Sequence, residues 1–233
     1  DAAQRGLIGS VDVPVGACPS IAGNGKKFAG KFNKTASPVG DRCVNMAVTP
    51  GDSDAVVNGF IGEWPGELGA RPALWIPASS ISSARLQAAT GKESVSDARS
   101  LVNTPVVLAV RPQLKAALAQ QSWAALPGLQ TNPAALDSLN LPGWGSLRLA
   151  LPSVGDSDAS YLAAEAVAAA SAPQGSPATA GLGAVNTLVG GQPKLADNTA
   201  NEAWKALLTD GDPAAAPVHA VVTTEQQLFQ RAS

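Results

Sequence analysis

The hydrophobic pattern of the chain switches repeatedly between two periods. Short runs that alternate, or that are apolar throughout, predict strands; stretches with apolar residues three and four apart predict helices. Residues 10–17 alternate Val11, Val13 and Val15, and residues 42–49 form a second strand-like run. Between them, a helix starting at Pro19-Ser20 carries Ile21, Phe28 and Phe32 ahead of a polar loop at 33–41. After the turn Pro50-Gly51-Asp52-Ser53, a helix puts Val56, Val57, Phe60 and Ile61 on its inner face, with Asp52 or Ser53 as its cap. The run Ala73-Leu74-Trp75-Ile76 then reads as a buried parallel strand stopped by Pro77, which cannot donate to a sheet ladder. Ser79 and Ser80 cap a helix with Ile81, Ala84, Leu86 and Ala88 on its inner face.

The alternation continues. Residues 103–110 predict a strand, 113–120 a helix, 133–139 a short helix, 145–151 a strand, and 161–170 an alanine-rich helix. Helices at 182–189 and 198–208 follow, then a strand at 218–223 and a last helix opening at Glu225. Strands separated by helices of about a dozen residues imply parallel sheets of βαβ units, an α/β class. The pentapeptide Gly51-Asp52-Ser53-Asp54-Ala55 recurs as Gly155-Asp156-Ser157-Asp158-Ala159, each copy between a strand and a helix. Two independent helix caps explain this, and so do two similar lobes each presenting a helix N-terminus.

Composition narrows the classes. With 45% hydrophobic and 15% charged residues among 233, the chain can bury a substantial core. A net charge of −2 is too small to steer nucleic acid; the lysines gather only at Lys26-Lys27, Lys31 and Lys34. No stretch approaches the ~20 apolar residues of a spanning helix. The first residue is Asp1, which fits a mature form whose export signal has been removed, or a fragment freed from a tag. The two cysteines, Cys18 and Cys43, make a poor metal site. They are either a disulfide or two free thiols, and the disulfide is favoured because each borders a predicted strand of one sheet.

Candidate chemistry is sparse. Asp156-Ser157-Asp158-Ala159-Ser160 approaches both a phosphoryl-transfer DxDx[TV] motif and a cation-holding DxSxS motif but matches neither. His219, the single histidine, alternates within a valine-rich strand, and neither a GxSxG elbow nor a cysteine partner accompanies it. Hydrolysis therefore lacks a base, and neither a catalytic residue nor a metal or other cofactor is expected. The five tryptophans are scattered, as packing residues are. What remains is a set of strand-to-helix junctions rich in hydroxyls: Pro19-Ser20, Ser79-Ser80, Ser157 with Ser160, and Thr223-Thr224-Glu225. Each can be ordinary capping; together, on one crevice, their hydroxyls and N–H dipoles would hold a small polar or anionic solute.

The segments RPALWIPASS, NTPVVLAVRPQLKAAL, the DSDAS loop and VVTTEQQLF resemble the extracellular solute-binding domain that actinobacteria often join to a von Willebrand type A domain. That domain is similar to the molybdate-binding class of periplasmic receptors. The likeness runs from about Val11 to Phe229. It implies a type II periplasmic-binding fold of two α/β lobes with a cleft between them, residues 1–103 and 104–223, with 224–233 starting a return segment to the first lobe. It also implies that Ser20, Ser79, Ser157, Ser160 and Glu225 face the ligand, joined by Ser80 from the capping argument. The function so implied is a non-enzymatic, secreted or envelope-bound solute receptor whose partners are a small solute, a membrane transporter or a von Willebrand type A domain. A scaffold that has kept the fold and lost its ligand is the alternative.

Overall fold

The computed structural model describes residues 9–35, 38–91, 96 and 98–232. The chain divides into two compact units, Asp1–Ser100 and Leu101–Ser233. Residues 36 and 37 of the expected polar loop lie outside the described residues.

The first unit is built on three parallel strands, β1 (Gly9–Ala17), β2 (Arg42–Pro50) and β3 (Leu74–Ile76), in the order β2-β1-β3. Helices α1 (Pro19–Thr35), α2 (Ser53–Ile61) and α3 (Ser80–Thr90) follow the strands in turn. Helix α1 continues past the expected stop at Asn33. The Asn33 amide donates to Met46 O at 3.0 Å and accepts from Met46 N–H at 2.8 Å, so the edge strand holds a last turn that local propensity would not. Val15, Ala17, Val56, Val57 and Leu86 are buried. Beside them lies an aromatic cluster in which Phe60 meets Trp64 and Trp75 at centroid distances of 5.3 and 6.3 Å, with Arg71 over the Phe60 ring.

Three expectations for this unit are corrected. Strand β3 is not buried: it is three residues long and an edge strand, and Leu74 is 47% exposed. The buried residues of α3 are Ser82 and Leu86, one turn apart, while Ala84 and Ala88 are exposed. Finally, Cys18 and Cys43 are not joined in a disulfide; Cys18 is buried and Cys43 exposed. The strand register explains why. Cys43 lies opposite Ser10, and Cys18 comes eight residues after Ser10, just beyond the far end of β1. At about 3.3 Å per residue the two are roughly 26 Å apart, beyond the ~7 Å between Cα atoms that a disulfide tolerates. Sharing a sheet is not sharing an end of it.

The second unit centres on β4 (Val106–Val110), β5 (Leu149–Ala150) and β6 (Ala220–Thr224), in the order β4-β6-β5. Its helices are α4 (Pro112–Leu118), α5 (Leu126–Thr131), α6 (Asp158–Ser171), α7 (Leu182–Gly190), α8 (Ala200–Leu207) and α9 (Glu225–Ala232). Alternation along the strands divides the core. Leu149, Ala220 and Val222 join Leu114, Leu136, Val167 and Leu188 in one cluster, whereas Ala109, Ala150 and Val221 join Ala203, Trp204 and Leu207 in another. The sheet is thus covered on both faces, a three-layer arrangement.

It is mixed and not wholly parallel: β5 runs parallel to β6, but β4 is antiparallel to it. Strand β5 is shorter than expected because the Arg148 carbonyl accepts from the His219 and Ala220 N–H groups and Leu147 N–H donates to Leu129 O, outside a regular ladder. Helix α5 was hidden in the sequence by Pro127. That proline stands in the first turn, where a missing N–H costs nothing.

Candidate functional site

In the second unit, β5 and β6 are parallel, so their carboxyl ends share one edge of the sheet. Open α/β folds hold ligands at such edges. The chain leaves β5 through Leu151-Pro152 and reaches the first turn of α6 at Asp156-Ser157-Asp158, while β6 passes directly into α9 at Thr224-Glu225. One side chain links the two junctions. Gln227 Nε2 donates to Asp156 Oδ2 at 3.2 Å, and its Oε1 accepts from Thr223 Oγ1 at 3.0 Å and from Thr224 N–H at 3.3 Å. Gln226 N–H donates to Thr104 Oγ1 at 3.2 Å, which draws the segment before β4 to the same place.

Within this polar cluster Ser157 is 3% exposed, and its Oγ makes no hydrogen bond. A buried hydroxyl without a partner costs roughly 1–3 kcal/mol, so it is retained where something else compensates it. Asp158, 2% exposed, is in the first turn of α6, the end of a helix that favours negative charge. Ser160 Oγ donates to Pro152 O at 2.6 Å and so fastens the loop. Glu225 is exposed at the start of α9, and its N–H donates to Pro105 O. Ser157, Ser160 and Glu225 therefore belong to one edge; of the two serine hydroxyls, that of Ser160 is spent on Pro152 O and that of Ser157 has no hydrogen-bond partner.

In the first unit, β1, β2 and β3 also end on one edge, and each leads into a helix. Ser20 lies in the first turn of α1, its Oγ 3.1 Å from Cys18 Sγ. Ser79 is the N-cap of α3 and accepts from Ile81 N–H at 3.2 Å, ordinary capping; Ser80 next to it is exposed. Ser53, expected only as a possible cap of α2, is the first residue of that helix, with Asp52 at the cap position. It is fully buried, and its Oγ accepts from Ala78 N–H at 3.0 Å, tying the turn after β2 to the turn after β3. Asp54 pairs with Arg85 at 2.5 Å, joining α2 to α3. The repeated pentapeptide thus serves different ends. Ser53 opens α2 and is bonded, whereas Ser157 precedes α6 and is not. Gln227 was not singled out from the sequence; its place four residues beyond Thr223 was the available signal.

His219 is committed elsewhere in the second unit. It is 1% exposed, packs on Trp144 at a centroid distance of 5.1 Å, and faces Arg148, whose Nη2 contacts His219 Nε2 and whose N–H donates to Nδ1 at 3.3 Å. Burial, and then the Arg148 charge, push its pKa down to about 4. A neutral ring held in this way packs; it does not take protons from a substrate near neutral pH. Among the described residues no three His, Cys, Asp or Glu side chains gather as metal ligands, and no helix is long and apolar enough to cross a membrane.

With the architecture and the two junction edges in hand, comparison with known proteins gives three findings. No family model matches the chain. An uncharacterized protein of Mycobacterium tuberculosis, found in two strains, is 65% identical over 230 residues; these cover 99% of this chain and 34% of the relative. The chain thus spans about a third of the length of the curated relatives it matches. Among solved structures, the sulfate-binding protein SubI of Mycobacterium tuberculosis superposes with a TM-score of 0.51 at 19% identity, covering 96% of this chain and 68% of that one. At that identity the likeness concerns architecture: the chain has an α/β solute-binding-protein fold.

Proposed function

We propose that the protein is a solute-binding module of the cell envelope, non-enzymatic, that takes a small polar solute at the junction edge of its second unit. The unpartnered, buried Ser157 hydroxyl carries this reading. It sits at the head of a 14-residue helix, in a cluster that Gln227 bridges, within a fold like that of a known binding protein. Asp156 and Asp158 flank it where an anion would approach, so a neutral solute rich in hydroxyl or amide groups suits the site better than an oxyanion. Ser20, Ser79 and Ser80 are the corresponding proposals in the first unit. Secretion, a membrane transporter and a von Willebrand type A domain rest on the sequence resemblance.

A scaffold without a ligand is the second reading. It is favoured by the internal bonds that already occupy Ser53, Ser79 and Ser160. Thermal unfolding against polyols and sugars, amino acids, and sulfate, phosphate and molybdate separates the two. A receptor gains about 2.7 kcal/mol at a hundredfold excess over its dissociation constant, and Ser157→Ala removes the gain. A flat response to every compound leaves the scaffold.

A further inference from the structure

Helix α1 carries the most uneven charge distribution in the molecule. It contains Lys26, Lys27, Lys31 and Lys34 and no acidic residue, so a chain of net charge −2 has +4 on one helix and −6 elsewhere. Its inner side is small. Ala22 and Ala29 are buried, and the Cα of Gly25 comes so near the edge strand that an added Cβ would lie 3.4 Å from Val48. These residues, three and four apart, fix the helix against β2, and the Asn33 bonds to Met46 hold its last turn.

The outward side follows from the same spacing. Lys27, Lys31 and Lys34 form one row along the helix, and Phe28 and Phe32 form the adjacent one. All four lysines are exposed, and among the described residues none makes an ion pair. Phe28 is 69% exposed and Phe32 37%. Asn24, Lys27, Phe28, Lys31 and Lys34 line a shallow groove here.

A row of solvated lysines alone is ordinary surface, and a single exposed phenyl ring is too. Their combination on a rigid, pre-folded helix is different. The phenyl rings lose contact with water only by entering an apolar phase, and the lysines favour a phase bounded by negative charge. A layer of anionic lipid headgroups over acyl chains meets both conditions at once, and interfacial helices have this composition. We propose that α1 docks the protein on an anionic phospholipid surface, with the Lys27-Lys31-Lys34 row on the headgroups and the Phe28 ring below them. The surface belongs to the first unit and does not depend on the solute-binding reading.

The test is sedimentation of the full chain with vesicles of phosphatidylglycerol and phosphatidylcholine, with pure phosphatidylcholine as control. The protein should pellet with the anionic vesicles only, and release as ionic strength rises from about 0.05 to 0.5 M, because headgroup attraction is screened. Replacing Lys27, Lys31 and Lys34 by Gln together should lower the partition coefficient about a hundredfold, roughly fivefold for each charge. Phe28→Ser should lower it about tenfold, as the loss of one buried ring implies. These side chains are exposed, so unchanged melting temperatures confirm that both variants are folded. Three results overturn the proposal: no pelleting with anionic vesicles, equal pelleting with neutral ones, or binding that survives the triple replacement. A polyanion such as an oligonucleotide binding as tightly, with Phe28→Ser without effect, also overturns it in favour of simple charge pairing.

Discussion

The neutrality of His219 makes a measurable demand on stability. An unfolded histidine titrates near 6.5, whereas His219 is pushed down to about 4 by burial and by Arg148. Either neutral tautomer leaves one ring nitrogen free to accept from Arg148, through Nη2 or the backbone N–H; the imidazolium leaves neither. Below pH 6.5 the unfolded chain takes up a proton that the folded chain refuses. Stability is therefore complete above 6.5, falls as the pH drops, and stops falling on this account below about 4. At about 1.4 kcal/mol per pH unit, the loss between pH 7.5 and 4.5 is about 2.5 kcal/mol. Carboxylates contribute to acid unfolding as well, so the comparison must be with His219→Gln, which keeps an acceptor for Arg148 and cannot charge. Urea unfolding at pH 7.5, 5.5 and 4.5 should show the wild type losing about 2.5 kcal/mol more than the variant. Parallel profiles, or a histidine ring proton titrating near 6.5 by nuclear magnetic resonance, would refute the reasoning.

Two further predictions test the packing and the register. A Cβ on Gly181 would lie 2.0 Å from Ala168 O, backbone that cannot swing aside, so Gly181→Ala should destabilise by at least about 3 kcal/mol in thermal unfolding. Gly183→Ala, inside α7 with nothing within 4 Å of its Cβ, should not destabilise and should gain up to about 1 kcal/mol from helix propensity. Without reductant, Cys43 should alkylate in the native state and Cys18 only on unfolding; a failure of both to react in denaturant would restore the disulfide.

Much of the architecture was legible because it follows from local spacing. The strand at β1, the buried Val56 and Val57 of α2 and the alanine-rich α6 announce themselves, since a strand or helix must repeat its buried side at its own period. But Ile61, expected on the inner face of α2, is 49% exposed at the end of the helix, and Val11 of β1 is 38% exposed. Errors arose where a neighbour decides. The residues Ala73-Leu74-Trp75-Ile76 are apolar enough for a central strand, and only the sheet order leaves β3 at an edge with Leu74 exposed. Ser82 is buried in α3 although a serine gives no apolar signal. The direction of β4 relative to β6 is set by where the chain returns, which no window of residues contains.

The candidate site divides in the same way. Hydroxyls at strand-to-helix junctions could be counted from the sequence, but their meaning lies in what they bond to. Ser79 caps its own helix, Ser160 fastens its own loop, and Ser157 is buried without a partner. By itself, the sequence determined that this is an α/β protein with helix N-termini gathered after its strands, and that α1 is basic, because periodicity and charge are properties of neighbours along the chain. Only the tertiary structure decided which hydroxyl is unspent, that the thiols sit at opposite ends of one sheet, and that Phe28 points to solvent. Burial and bonding depend on residues far apart in sequence, brought together by folding.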